Sequence, residues 1–122
     1  MVFEMSYDIC MREPVGGNVI EFATEHYMRG GTYAIGGTRE AWLNVTYNYG
    51  KYYYRVFGEK GIRTIYGMTG AESIPVIKAA MAQLEDDVSD DYWEPTEGNA
   101  KKALAQLLAF AQMRPDGIWD GD

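Results

Sequence analysis

Hydrophobic and polar positions alternate at the start of the chain: Phe3, Met5, Tyr7, Ile9 and Met11 are separated by Glu4, Ser6, Asp8 and Cys10. That period of two sets one face of a strand on a core. Pro14-Val15-Gly16-Gly17 follows; proline presets one backbone angle and glycine admits positive φ, so a turn is expected. Val19 to Phe22 then reads as the returning arm of a β-hairpin. Beyond Thr24, Glu25 and His26, two glycine pairs, Gly30-Gly31 and Gly36-Gly37, bracket a short extended segment, Thr32-Tyr33-Ala34-Ile35. Leu43, Val45, Tyr47 and Tyr49 alternate with Asn44, Thr46 and Asn48, the cleanest strand pattern in the chain. Gly50-Lys51 reads as a turn into a further strand from Tyr52 to Phe57, which would let the tyrosines pair across strands. Ile62 to Tyr66 fits either a last strand or a helical turn.

The period then changes. Ile74, Ile77, Met81 and Leu84 recur at helical spacing, with Ser73 as N-cap and Pro75 in a first turn that has no use for its missing N–H. A helix is expected over 74–85. Pro95-Thr96-Glu97 opens a second, over 97–113, with Ala100, Ala103, Leu104, Leu107, Leu108 and Ala111 on one face. Pro115-Asp116-Gly117 ends it, and Ile118-Trp119 can fold back onto the core. Strands followed by helices predict one α+β domain spanning 1–122: an N-terminal antiparallel sheet of hairpins, within 3–66, packed by two C-terminal helices.

A chain of 122 residues is long enough to bury roughly two thirds of its unfolded surface. Net charge is −7, and its distribution is uneven. Residues 1–68 hold seven acids and seven bases, whereas 69–122 hold eleven acids and four bases, so the whole excess lies in the second part. Direct nucleic-acid binding, which needs clustered cations, is not expected. The single cysteine, Cys10, cannot form an internal disulfide, and the start of the chain lacks the basic and apolar regions of a signal peptide. No apolar run approaches the ~20 residues of a spanning helix. Together these point to a cytoplasmic protein with no membrane association. Asn44-Val45-Thr46 matches the glycosylation pattern, which matters only on a secretory route.

Four blocks carry a resemblance: Met28-Arg29-Gly30-Gly31-Thr32-Tyr33, Leu43-Asn44-Val45-Thr46-Tyr47-Asn48-Tyr49, Gly67-Met68-Thr69-Gly70-Ala71-Glu72-Ser73-Ile74-Pro75 and Arg114-Pro115-Asp116-Gly117-Ile118-Trp119. Across much of its length the chain thereby resembles small uncharacterised single-domain proteins of bacteria and their phages. The resemblance brings no activity and no catalytic residues. It implies a setting, the host cytoplasm if phage-encoded, in which such proteins inhibit, sequester or neutralise something of the host's.

No established catalytic or metal-binding motif appears, so candidate sites rest on chemistry alone. Asn44, Thr46 and Asn48 would project from one strand face at about 7 Å intervals, offering neutral donors and acceptors to a polar ligand. Cross-strand hydrogen bonding would occupy the same groups. Arg29-Gly30-Gly31-Thr32 and Gly36-Gly37-Thr38-Arg39 supply backbone N–H groups, hydroxyls and a guanidinium each, a combination that cradles phosphate or carboxylate. Turn-making explains the same glycines. If these loops met the Asn44 strand, with tyrosines such as Tyr49 as stacking walls, the ensemble would suit a nucleotide-like molecule. His26 is the only histidine, which leaves Cys10–His26 as the one thiol mechanism, against the simpler reading of Cys10 as a packed core thiol. The run Glu85 to Glu94 lacks the alternation of a calcium loop. With Tyr92 and Trp93 inside it, Asp86, Asp87, Asp90 and Asp91 would instead face a basic protein surface or solvent.

The leading expectation is a non-catalytic protein holding a small anionic or nucleotide-like ligand through Arg29, Gly30, Gly31, Thr32, Arg39, Asn44, Thr46, Asn48 and Tyr49, with no catalytic residue, metal or cofactor. The alternative is an acidic host-protein inhibitor or nucleic-acid mimic using Asp86, Asp87, Asp90, Asp91 and Trp93. A small hydrolase or transferase ranks third, and a homo-oligomer is left open.

Overall fold

The computed structural model describes residues 6–27, 37–91 and 94–122. Its strands are β1 (Ser6–Arg12), β2 (Glu21–His26), β3 (Thr38–Glu40), β4 (Trp42–Thr46) and β5 (Ile118–Gly121), and its helices are α1 (Gly50–Phe57), α2 (Gly70–Ala82) and α3 (Glu97–Met113). Short 3₁₀ turns occupy Tyr47–Tyr49 and Gly61–Ile65. The antiparallel sheets lie mainly in the N-terminal half and the longest helix near the C-terminus, an α+β fold.

β1 is the central strand of a three-stranded antiparallel sheet ordered β4-β1-β5. From Tyr7 onward the expected alternation is realised, with Tyr7 opposite Val45, Ile9 opposite Leu43 and Met11 opposite Trp119, all buried, while Phe3 and Met5 lie outside the described residues. These residues join Ile77, Ala80, Leu84, Ala100, Ala103, Leu104, Leu107 and Phe110 in one core, so α2 and α3 cover that face. The Trp119 indole N–H donates to Ser73 Oγ at 2.8 Å, and Ser73 Oγ donates to the Gly70 carbonyl at 2.8 Å. A buried strand thus meets a buried helix turn with its polar atoms matched.

Several expectations are corrected. The first hairpin closes at its base only: Glu13 N–H donates to Asn18 O and Ile20 N–H to Met11 O, after which the chain leaves β1 and β2 pairs with β3 in a separate two-stranded sheet. Three backbone bonds join the two sheets, from Ile20 N–H to Met11 O, Met11 N–H to Ala41 O and Ala41 N–H to Ile20 O, and all three residues are fully buried. The expected extended segment Thr32–Ile35 falls outside the described residues.

The strand expected over 52–57 is helix, and the strand through Asn44 stops at Thr46. Thr46 Oγ1 accepts from Asn48 N–H at 3.2 Å and turns the chain out of the sheet. Tyr49, Tyr53 and Phe57 also fit spacing of four, and helical winding sends the first two fully into the core, where the Tyr53 hydroxyl donates to Ala100 O at 2.9 Å. Gly50-Lys51 is accordingly a helix start and not a hairpin turn. α2 begins four residues before the expected 74, because Thr69 and Glu72 form a reciprocal capping box that satisfies two orphan N–H donors. α3 spans 97–113 as expected, capped by Thr96. Ile118-Trp119 does fold back, as part of β5 paired with β1.

The connection between α2 and α3 is built against the start of α3. A Cβ added at Gly98 would lie 2.6 Å from Val88 N and 2.7 Å from Asp87 C, backbone atoms that cannot swing aside. Gly98→Ala should therefore cost about 1–3 kcal/mol of overpacking in denaturant unfolding. Exposed Lys102→Ala on the same helix should stay within about 0.5 kcal/mol of the parent; equal stability of the two variants would contradict this packing.

Candidate functional site

An open recess of about 480 Å³ is lined by Tyr7, Tyr47, Gly50, Lys51, Tyr54 and Arg63. Each enters from a different local cause. Tyr7 heads the core face of β1, Tyr47 begins the 3₁₀ turn that Thr46 caps, and Lys51 and Tyr54, three apart, share the outer face of α1 because Tyr49 and Tyr53 take the inner one. Arg63 comes from the second 3₁₀ turn. Gly50 packs closely here: a Cβ there would sit 3.2 Å from the Tyr7 hydroxyl, a tight contact.

The rings and cations are fixed against one another. Tyr7 and Tyr47 meet edge to face with centroids 4.6 Å apart. The Arg63 guanidinium lies 4.8 Å from the Tyr7 centroid and 6.0 Å from that of Tyr47, and its Nε donates to Asp122 O at 2.7 Å. Lys51 Nζ lies 5.0 Å from the Tyr52 centroid. Such placement holds a cation through the ring quadrupole without neutralising it; Lys51 has no carboxylate ion pair among the described residues, whereas Arg63 is already engaged by Asp122 O. Residues 47–66 hold Lys51, Arg55, Lys60 and Arg63 against Glu59, 4 − 1 = +3 in a chain of net −7. The recess thus combines aromatic walls with two cations and no lining carboxylate, chemistry suited to an anion that carries apolar or aromatic surface.

Burial, then the neighbouring Tyr54 phenol, pushes the Tyr7 hydroxyl up to about 12, with Arg63 acting in the opposite direction. At neutral pH Tyr7 is therefore a hydrogen-bond donor and not a phenolate. Burial likewise raises Tyr53, and burial followed by the Asp122 charge raises Tyr66, whose buried hydroxyl has no hydrogen-bond partner among the described residues.

The residues expected to form the ligand face are dispersed. Asn44 is only 3% exposed; its amide N–H₂ donates to Ser6 Oγ and Asp8 Oδ1, and its Oδ1 is buried without a partner. Thr46 is buried as a cap, Asn48 is exposed beyond the strand end and Tyr49 lies in the core. One alternating polar face through all three positions does not form, because the extended backbone it required ends at Thr46. Arg39 is exposed on β3 and donates from Nε to Phe22 O at 2.9 Å, which ties it to the two-stranded sheet. Arg29, Gly30, Gly31 and Thr32 lie outside the described residues.

In the acidic run, Asp86 pairs with Lys101 at 2.8 Å and Asp87 Oδ1 accepts from Gly98 N–H at 3.0 Å. Buried Asn99 donates to the carbonyls of Asp91 and Glu94 and accepts from Ser89 N–H. Asp90 and Asp91 are exposed, and Trp93 lies outside the described residues. Cys10 and His26 occupy different surroundings. The thiol is raised by burial beside Arg12 and Asp120, on the sheet face away from Tyr7, Ile9 and Met11. The imidazole packs on Phe22 and Phe110 with Nε2 2.6 Å from Glu40 O.

Sequence reasoning missed Lys51, Tyr54 and Arg63 as a group. The available signal was the spacing of four through Tyr49, Tyr53 and Phe57 together with the local excess of bases. No helix among the described residues is long and apolar enough to cross a membrane. No protein-family model matches the chain, and comparison with curated proteins and with solved structures likewise finds no match.

The tyrosine shifts carry a pH signature. A group whose native pKa lies above its unfolded value near 10 contributes stability that is complete below pH ~10 and lost as pH rises through the native value. Thermal unfolding should hold its midpoint up to pH ~10 and decline toward pH ~12, in step with tyrosinate absorbance. Tyr7→Phe should flatten part of that decline; an unchanged alkaline profile would argue against a buried phenol there.

Proposed function

We propose that the chain is a non-catalytic binding protein that holds a small anionic, nucleotide-like ligand in the tyrosine-lined recess. The observation that carries this reading is the gathering of Lys51, which has no carboxylate ion pair among the described residues, and Arg63 with the rings of Tyr7, Tyr47 and Tyr54 around a recess that no carboxylate lines. The +3 segment around the recess supports it, since a local positive field in an acidic protein draws an anion to one place. The biological role we propose is sequestration of a host metabolite in the cytoplasm by a phage-encoded protein, in keeping with the resemblance of the four sequence blocks. The acidic loop supports a docking role less well, because Asp86 and Asp87 are engaged with α3.

Thermal unfolding across a panel of nucleotides and other phosphorylated metabolites tests the reading. A ligand at a hundredfold excess over its Kd stabilises by about 2.7 kcal/mol, a Tm rise on the order of 10 °C for a domain of this size. Lys51→Glu, an exposed change, should weaken binding about tenfold or more through charge reversal. Arg39→Ala should leave it unchanged. An unmoved Tm across the panel, or loss of binding on Arg39→Ala with none on Lys51→Glu, would overturn the assignment.

A further inference from the structure

The ring of Tyr54 is 46% exposed and lines the recess, with Gly61 packed close against it. A Cβ built at Gly61 would lie 3.2 Å from Tyr54 Cδ1 and Cε1, and one built at Gly50 would lie 3.8 Å from Cε2. Gly61 also has φ +58°, in the left-handed region where glycine is at no disadvantage. The ring is thus backed on one face by Gly61, its contact with Gly50 is an ordinary one, and it remains half exposed in the recess.

Lys51 lies one helical turn before Tyr54 on the same face of α1, and Arg63 follows Gly61 by two residues. A platform for a planar ring thus stands beside two cations in one recess. Resting on the function proposed above, we infer that Tyr54 is a stacking platform and that the ligand class is a nucleoside 5′-monophosphate, its base on Tyr54 and its phosphate toward Lys51 and Arg63. A recess of about 480 Å³ falls within the range of small-molecule sites. An exposed aromatic ring stacks on any base, so this arrangement discriminates for the presence of a base more than for its identity.

The test is calorimetric titration of the full chain with adenosine and uridine 5′-monophosphates, ribose 5-phosphate and inorganic phosphate. Both nucleotides should bind at least about fivefold tighter than ribose 5-phosphate, the lower end of what one stacked base contributes. Tyr54→Ala should erase that difference by weakening nucleotide binding more than ribose 5-phosphate binding, whereas Tyr54→Phe should keep it. Equal affinity for nucleotide and sugar phosphate, or a difference that survives in Tyr54→Ala, overturns the stacking inference while anion binding in the recess stands. Binding of none of the four probes overturns both. Gly61→Ala, whose Cβ would crowd the Tyr54 ring, gives a second check: it should lower nucleotide affinity, and retention of full nucleotide affinity would count against Tyr54 as the platform.

Discussion

The fully buried phenol of Tyr53, donating to the Ala100 carbonyl, is the contact on which the recess depends. A phenol taken out of water without a partner is costly, and one carbonyl on α3 supplies that partner. Meeting this requirement sets the rotation of α1 about its axis. With Tyr53 and Tyr49 inward, Lys51 and Tyr54 have only the outer face available. The same rotation brings Gly50 against the Tyr7 hydroxyl and Tyr54 against Gly61. One satisfied hydrogen bond in the core therefore goes with the rotation that leaves Lys51 and Tyr54 in solvent on the other side of the helix.

Much of the architecture is legible from periodicity. The alternation through Tyr7, Ile9 and Met11 identifies the central strand, and α3 coincides with its sequence pattern from Thr96 to Met113. The tyrosine segment is not legible in that way. Tyr47, Tyr49, Tyr52, Tyr53 and Tyr54 satisfy both a period of two and a period near four, and aromatic residues carry strand propensity that tips a local reading toward β. Tertiary packing decides the matter, through a phenol whose partner lies 47 residues away. Strand pairing was hidden for a similar reason: the partners of β1 are β4 and β5, so neither is the adjacent strand.

The site was the least legible part, and the physical reason is specific. Asn44, Thr46 and Asn48 were grouped on the premise of extended backbone, and the premise fails at the residue whose own hydroxyl ends the strand. A side chain that caps its own chain is spent on local geometry. Asn44, in the same way, uses its amide donors within the sheet. Charge was more informative than polarity. The neutral balance of residues 1–68 conceals a basic stretch over 47–66, and the acids of the second half are partly consumed in seating the start of α3.

The pairing of β1 with β5 joins Arg12 to Ile118 and Ile9 to Gly121. The middle strand of the main sheet is thus separated from one of its two neighbours by about a hundred residues, and closing that edge is the kind of distant contact that slows folding. β1 is made well before β5, and until β5 docks the edge of β1 presents unpaired backbone groups to other chains.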